Sequence, residues 1–294
     1  MEIGLIIKNI SNKYTVKIGN EEFETIARGK FKNEEISPVV GDYVKISNID
    51  KEKKIGIIEE IEKRNVFIKR PKLANITQLV LVVSSKNPKP DLLLLDKQLA
   101  FAKYLGIKSL IVLNKTDLDK KSEFKEIKNV YKKIGYKVLE TEAKNGKGIE
   151  ELKNELKGNI NAFSGNSGVG KSTLINKIFN KEITKEGEIS QKNKKGKNTT
   201  TAIKLYEIDE NTYIADTPGF ATFEINEIES KDLYKYFVEF VEYEKECEFV
   251  GCTHIKEENC GIKKAVEKGK ISKERYERFS KIYENLKEKE KRKW

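Results

Sequence analysis

Asn114-Lys115-Thr116-Asp117 comes before Gly165-Asn166-Ser167-Gly168-Val169-Gly170-Lys171-Ser172 in this chain, and the two stretches together decide the fold. The second fits G-x-x-x-x-G-K-S. It follows an apolar run through Ile160, Ala162 and Phe163 and leads into the helical spacing of Leu174, Ile175, Ile178 and Phe179. Strand, loop and helix thus occur in the order a phosphate-binding loop needs. Gly165, Gly168 and Gly170 free the backbone to aim its amides at phosphate oxygens, and Lys171 neutralises the outer ones. The Ser172 hydroxyl is an expected Mg²⁺ ligand, and Asn166, Ser167, Val169 and Thr173 complete the expected cradle.

Asn114 to Asp117 follow the hydrophobic run Ser109-Leu110-Ile111-Val112-Leu113, which places them at the carboxyl end of a strand, where open α/β sheets bind ligands. The Asp117 carboxylate accepts from the ring and exocyclic N–H groups of guanine. Adenine leaves that acceptor unpaired, at about 1–3 kcal/mol, so GTP is expected over ATP. Asn114 fixes the loop, Thr116 continues it, and the Lys115 stem covers the ring face. Glu142-Ala143-Lys144 follows a short strand from Tyr136 to Leu139; Ala143 and Lys144 are expected beside the guanine oxygen. Thr199-Thr200-Thr201 supplies a second Mg²⁺ hydroxyl, assigned to Thr200. Asp216-Thr217-Pro218-Gly219 ends the strand Thr212 to Ala215, with Asp216 behind the metal and the Gly219 amide at the γ-phosphate. Ordinary GTPases carry the phosphate loop ahead of the guanine motif. The reversed order implies an α/β P-loop GTPase domain that is circularly permuted.

The net charge is +11, with 36% charged and 37% hydrophobic residues. This lysine-biased surface suits a polyanion, RNA first among them. The bias is clustered at Lys192, Lys194, Lys195 and Lys197 and again at Lys287, Lys289, Lys291, Arg292 and Lys293. No apolar run reaches the roughly 18 residues of a membrane span, and Met1 to Gly4 does not open like a signal peptide. A soluble cytoplasmic protein without a membrane partner is the expectation.

The three cysteines and the one histidine fall together as Cys247-x4-Cys252-x-His254-x5-Cys260. Three thiolates and an imidazole fill a tetrahedral Zn²⁺ shell and leave no position for a reacting water, so one structural Zn²⁺ is expected. The spacing does not suit a thioredoxin-like pair.

Three segments emerge along the chain. Residues 1–70 alternate over five short runs that fit an all-β OB-fold, a barrel whose face and loops bind oligonucleotides or serve for packing alone. Arg28, Lys30 and Lys32 are its backbone-contact candidates, and Tyr14, Phe23, Phe31 and Tyr43 its stacking candidates. Arg70-Pro71-Lys72 reads as a linker. Residues 71–220 alternate strand and helix, with helices expected over Leu92 to Tyr104 and Ser122 to Ile134. Residues 221–294 read as a helical zinc-binding domain, with one helix from Asp232 to Tyr243 carrying Leu233, Tyr236, Phe237, Phe240 and Val241. A second, from Ser272 to Lys293, carries Tyr276, Phe279, Tyr283 and Leu286 on one face. That stripe suits packing on its own domain as well as a helix lying on RNA.

With these residues together, the chain resembles the ribosome small subunit-dependent GTPase family, the YjeQ/RsgA-like circularly permuted GTPases. The resemblance spans essentially the full length. It implies a late-acting factor in assembly of the small (30S) ribosomal subunit, with that subunit and its rRNA as partners and as stimulators of GTP hydrolysis, GTP/GDP, Mg²⁺ and Zn²⁺ as cofactors, and a monomer. One departure stands out. The family commonly has a histidine just before the threonine run, proposed to position the attacking water, and Asn198 occupies that place here. Phe220 likewise stands where many GTPases carry a water-orienting glutamine. Asn198 can orient a water but takes no proton at neutral pH, so slow intrinsic turnover is expected. An RNA-binding module that uses GTP as a switch with negligible catalysis is the competing reading. A GTPase acting on protein or membrane partners lacks a hydrophobic anchor.

Overall fold

The computed structural model describes residues 1–32, 37–119, 122–183, 203–216 and 225–292, with the side chains of Lys30, Lys32, Glu123 and Asp216 left aside. Alternating apolar side chains at the start of the chain close a barrel of β1 (Glu2–Ile10), β2 (Lys13–Ile18), β3 (Glu21–Ala27), β4 (Tyr43–Asp50) and β5 (Ile55–Ile61). β1–β2, β2–β3, β4–β5 and β1–β4 pair antiparallel and β3–β5 parallel. The order β1-β2-β3-β5-β4, closed by β4 on β1, is the OB-fold topology. Ile6, Val16, Phe23, Val44, Ile46 and Ile58 fill its interior from alternate strand positions. β6 (Phe67–Lys69) and β7 (Lys72–Ala74) form a small hairpin, with Lys69 opposite Lys72. Arg70 and Pro71 are therefore its turn rather than an open linker, a place where proline forfeits no ladder bond.

The α/β part follows as β8 (Gln78–Ser84), α1 (Leu92–Leu105), β9 (Lys108–Asn114), α2 (Glu123–Lys133), β10 (Lys137–Thr141), α3 (Ile149–Leu156), β11 (Ile160–Ser164), α4 (Lys171–Phe179), β12 (Lys204–Asp209) and β13 (Thr212–Asp216). β8 is buried at every position, as a strand covered on both faces must be. Residues 225–292 add α5 (Gly261–Glu267) and α6 (Lys273–Lys291).

Contacts divide the chain into two units. The first comprises Met1–Val80, Ile149–Ser167 and Lys171–Ala221. In it β11 pairs parallel with β13, β13 antiparallel with β12, and β12 meets β1 of the barrel at Lys204↔Lys8. The second unit comprises Leu81–Gly148, Gly168–Gly170 and Thr222–Trp294. Its sheet order is β10-β9-β8, with β9 and β10 parallel. α1 begins at Asp91, whose carboxylate accepts from Leu94 N at 2.9 Å, and stops at Gly106 with φ 70°. Among the described residues no helix is long and apolar enough to cross a membrane.

The helix expected over Asp232 to Tyr243 is not formed. A short 3-10 segment, Ser230–Tyr236, gives way to turns, and Phe237 adopts extended φ, ψ of −98° and 99°. Packing explains the break. It brings the Phe237 and Phe240 rings 5.1 and 4.8 Å from that of Phe279, all three fully buried, while Val241 is left exposed. The terminal helix forms, capped by Ser272, whose hydroxyl accepts from Arg275 N. Phe279, Tyr283 and Leu286 are buried along it, so this stripe is core, and the Tyr276 hydroxyl donates to His254 O at 2.7 Å. Phe279→Ala should destabilise the second unit by about 3–5 kcal/mol, measured by chemical denaturation of the full chain.

Candidate functional site

The guanine motif begins where β9 ends. Asn114 is buried, and both ends of its amide are used: Nδ2 donates to Val169 O at 2.9 Å, while Oδ1 accepts from Thr141 Oγ1 at 3.0 Å and Ala143 N at 3.2 Å. Lys115 turns the chain through the left-handed region, φ 64°, into the 3-10 turn Thr116–Leu118. Its ammonium donates to Gly168 O at 2.7 Å and Asn87 O at 2.5 Å, and its carbonyl accepts from Ser85 Oγ at 2.6 Å. Burial lowers the Lys115 pKa, with a further push from Lys144 and an opposing pull from Asp117. The Thr116 hydroxyl donates to Glu142 Oε1 at 3.1 Å, while Asp117 and Lys144 are exposed. The structure thus joins Asn114 to Ala143, and Asn114 and Lys115 to the loop at Gly168 and Val169, while Thr116 reaches Glu142 beside Ala143.

That loop leaves β11 and enters α4 through glycines in conformations other residues avoid, φ 143° at Gly165, 80° at Gly168 and 101° at Gly170. A Cβ at Gly170 would lie 2.3 Å from Asn114 Nδ2, so the Asn114 amide sets the residue type there. Lys171 opens α4 and folds back over its own loop, donating to Gly165 O at 2.7 Å and Asn166 O at 2.8 Å. Burial lowers its pKa to about 8, because the ammonium has left water for two neutral carbonyls. Ser172 and Thr173 are half-buried in the first turn of α4, Asn166 is half-buried and Ser167 is exposed. Asp216 ends β13. Asn198, Thr200 and Gly219 lie outside the described residues, as do Phe220 and the Lys192 to Lys197 cluster.

Sequence reasoning passed over Ser85, Asn87 and Thr141, which hold the motif rather than belong to it. Ser85 and Asn87 follow β8 at the same carboxyl edge of the sheet as Asn114, and that shared edge was the available signal.

The ligand atoms of Cys247, Cys252, His254 and Cys260 all lie within 4.8 Å of one another. His254 Nδ1 is 3.5 Å from Cys247 Sγ and 3.4 Å from Cys260 Sγ, and those sulfurs are 3.9 Å apart. Tetrahedral Zn²⁺ with ordinary bond lengths requires edges of about 3.6 Å for S–N and about 3.8 Å for S–S. The donor set therefore fits zinc, with Nδ1 as the ligand atom. Burial raises the Cys252 thiol to about 12 and pushes Cys260 up as well, so a dication supplies the charge that would ionise them.

Residues 61–226 match the model of the RsgA GTPase family, and residues 3–58 that of the RsgA N-terminal domain. The chain belongs to the RsgA GTPase family. It is 43% identical over 293 residues to Small ribosomal subunit biogenesis GTPase RsgA of Clostridium botulinum, covering 99% of each chain. The protein of that name from Ruminiclostridium cellulolyticum is 41% identical, with 98% of this chain and 95% of the relative covered. Among solved structures, YjeQ from Thermotoga maritima matches with TM-score 0.83 at 36% identity, covering 97% of this chain and 98% of that one. YloQ, a circularly permuted GTPase, matches with TM-score 0.82 at 29% identity, covering 98% and 96%. The resemblance drawn from the motifs is borne out, and with it the permuted fold and the assignment as a GTPase.

An RsgA-family lysine held at a depressed pKa has a measurable signature. A phosphate at Lys171 favours the protonated form, so GDP binding should raise its pKa and take up a proton. GDP affinity should be level below about pH 8, where Lys171 is already charged, and fall above it by up to about tenfold per pH unit. Calorimetry in buffers of different ionisation enthalpy should show uptake near zero at about pH 7 and rising toward one proton above about pH 8. For the metal centre, elemental analysis of protein purified without chelators should give about one zinc per chain. Cys260→Ser should lower that ratio and loosen residues 225–292 more than it weakens GDP binding.

Proposed function

We propose that this GTPase acts in late maturation of the small ribosomal subunit, with hydrolysis stimulated by the subunit and with rRNA as a direct contact. The full-length match to relatives named for small-subunit biogenesis carries this reading. The net charge of +11 and the OB topology of the barrel support a polyanionic partner. On this reading residues 1–70 contact RNA, residues 71–220 bind and hydrolyse GTP, and residues 221–294 form the zinc-stabilised module of a cytoplasmic monomer.

Asp117 reads the guanine N–H groups, Asn114, Lys115 and Thr116 shape the base pocket, and Ala143 and Lys144 close it. The amides and side chains from Gly165 to Thr173 wrap the phosphates, and Lys171 turns from its loop carbonyls to the outer phosphate oxygens. Mg²⁺, when bound, neutralises charge on those oxygens; Ser172 and Thr200 are the hydroxyls that would hold it, with Asp216 behind them. The Gly219 amide is assigned to the γ-phosphate, as the group that senses its loss. Asn198 orients the attacking water and leaves its proton to be taken up elsewhere.

GTP turnover measured with small subunits, large subunits and neither tests the proposal. Small subunits alone should accelerate hydrolysis; equal rates in all three would reject subunit stimulation, and uniformly negligible rates would favour a GTP-dependent binding switch. Asn198→His should keep GTP affinity and raise single-turnover hydrolysis on saturating small subunits, because an imidazole adds a proton acceptor beside the γ-phosphate.

A further inference from the structure

Asp96 is an aspartate with no solvent exposure, set after a run of leucines in α1. Its carboxylate accepts from Arg275 Nη1, from Arg278 Nε at 2.6 Å and from the Tyr131 hydroxyl at 2.6 Å. Arg275 is itself buried, and its guanidinium also donates to Glu239 and stands 4.7 Å from the centre of the Phe237 ring. Two arginines on α6 thus face two carboxylates, one on α1 and one in the segment before the cysteines. Burial works against the Arg275 charge, and Asp96 and Glu239 more than offset it. A buried ion cluster of this kind is seldom more stabilising than apolar side chains of the same volume. What it does provide is a fixed direction and register for α1 against α6.

The other end of α1 belongs to the guanine motif. From Asp91 to Asp96 the helix advances only about 7.5 Å, and Asp91 closes the loop that leads in from β8. In that loop Ser84 Oγ donates to Pro88 O at 2.7 Å, Ser85 Oγ donates to Lys115 O, and Asn87 O accepts from the Lys115 ammonium. Pro88 Cδ lies 3.6 Å from where a Cβ on Gly168 would stand. A short helix is stiff over this distance, so a displacement of Asp96 along α1 moves the carbonyls and hydroxyls that hold Lys115.

We propose that Asp96 is a positioning residue for the nucleotide site, set by Arg275 and Arg278 and acting through α1 and the loop before it, so that nucleotide binding and the packing of α6 are coupled. The proposal rests on the reading of the guanine motif given above. By linkage the coupling runs both ways: GDP tightens α6, and loosening the Asp96 clamp weakens GDP.

Hydrogen exchange on the full-length, zinc-loaded protein, with GDP as the probe, tests this. In the wild type GDP should slow exchange along α6 by about fivefold or more, the lower range of measured couplings. Arg278→Met leaves Asp96 paired with Arg275 and Tyr131, so the fold should persist. It should reduce the α6 slowing to less than about twofold and weaken GDP by about fivefold, with protection of residues 165–172 retained. Arg278→Lys should recover part of both effects. Phe279→Leu loosens α6 while removing none of the clamp's hydrogen bonds and should keep the GDP-dependent slowing. Protection of 165–172 without any change on α6 in the wild type would overturn the coupling alone. The same holds for an unchanged α6 response in Arg278→Met, or for its loss in Phe279→Leu. Absence of GDP protection at 165–172 in the wild type would sink the nucleotide reading and the coupling together.

Discussion

The buried amide of Asn114 is the interaction on which the rest of the site depends. One side chain at the end of β9 satisfies Val169 O, Thr141 Oγ1 and Ala143 N, groups that lie 55, 27 and 29 residues away in sequence. Leaving any of them unpaired in that buried position costs about 1–3 kcal/mol, so the loop at 168–170 and the turn after β10 are held to a single arrangement. The same amide leaves no room for a side chain at Gly170. None of this depends on whether the phosphate loop comes before or after the guanine motif. Reversing the order changes only the connections between strands, and the contact survives because it is made across strand ends.

The segment after residue 225 is held by two chemistries that divide the work. Near the cysteines, regular secondary structure is sparse, and the four donor atoms within 4.8 Å of one another offer a metal the role a core would otherwise fill. Farther along, Phe237, Phe240 and Phe279 build an apolar core against α6. Tyr276 ties the two together, with its ring against Phe279 and its hydroxyl on the carbonyl of His254. A metal held by these donors would therefore act first on the backbone of His254 and next on the face of α6.

How much of this was legible in the sequence follows from how local each cause is. The phosphate loop and the guanine motif could be read because the residue types that do the chemistry also set the backbone, glycines at positive φ and an asparagine at a strand end. The barrel could be read from alternation alone, since the inward positions at Ile6, Val16 and Ile46 need no distant partner to be recognised. The clamp on Asp96 could not. Its three partners, Tyr131, Arg275 and Arg278, lie 35 or more residues away, and a charged residue on a helix ordinarily faces solvent. The helix expected from Asp232 to Tyr243 failed for a related reason. A spacing of three and four suits a helix, yet the Phe279 ring draws Phe237 and Phe240 into turns, and packing of that kind overrides local pattern.

Permutation also decides what each end of the GTPase domain is joined to. β8 follows directly from the barrel and the β6–β7 hairpin, while β13 precedes in sequence the segment that carries the cysteines. In the first unit the barrel meets the GTPase strands through β1 and β12, where, among the described residues, Lys8 stands opposite Lys204. Like charges facing each other across strands repel; the nearby ion pair of Lys17 with Glu207 offsets that repulsion, although partly exposed pairs of this kind contribute at most about 1 kcal/mol. Of the charges at this junction, Lys204 and Glu207 thus stand on the strand that follows the basic, threonine-bearing stretch of the sequence.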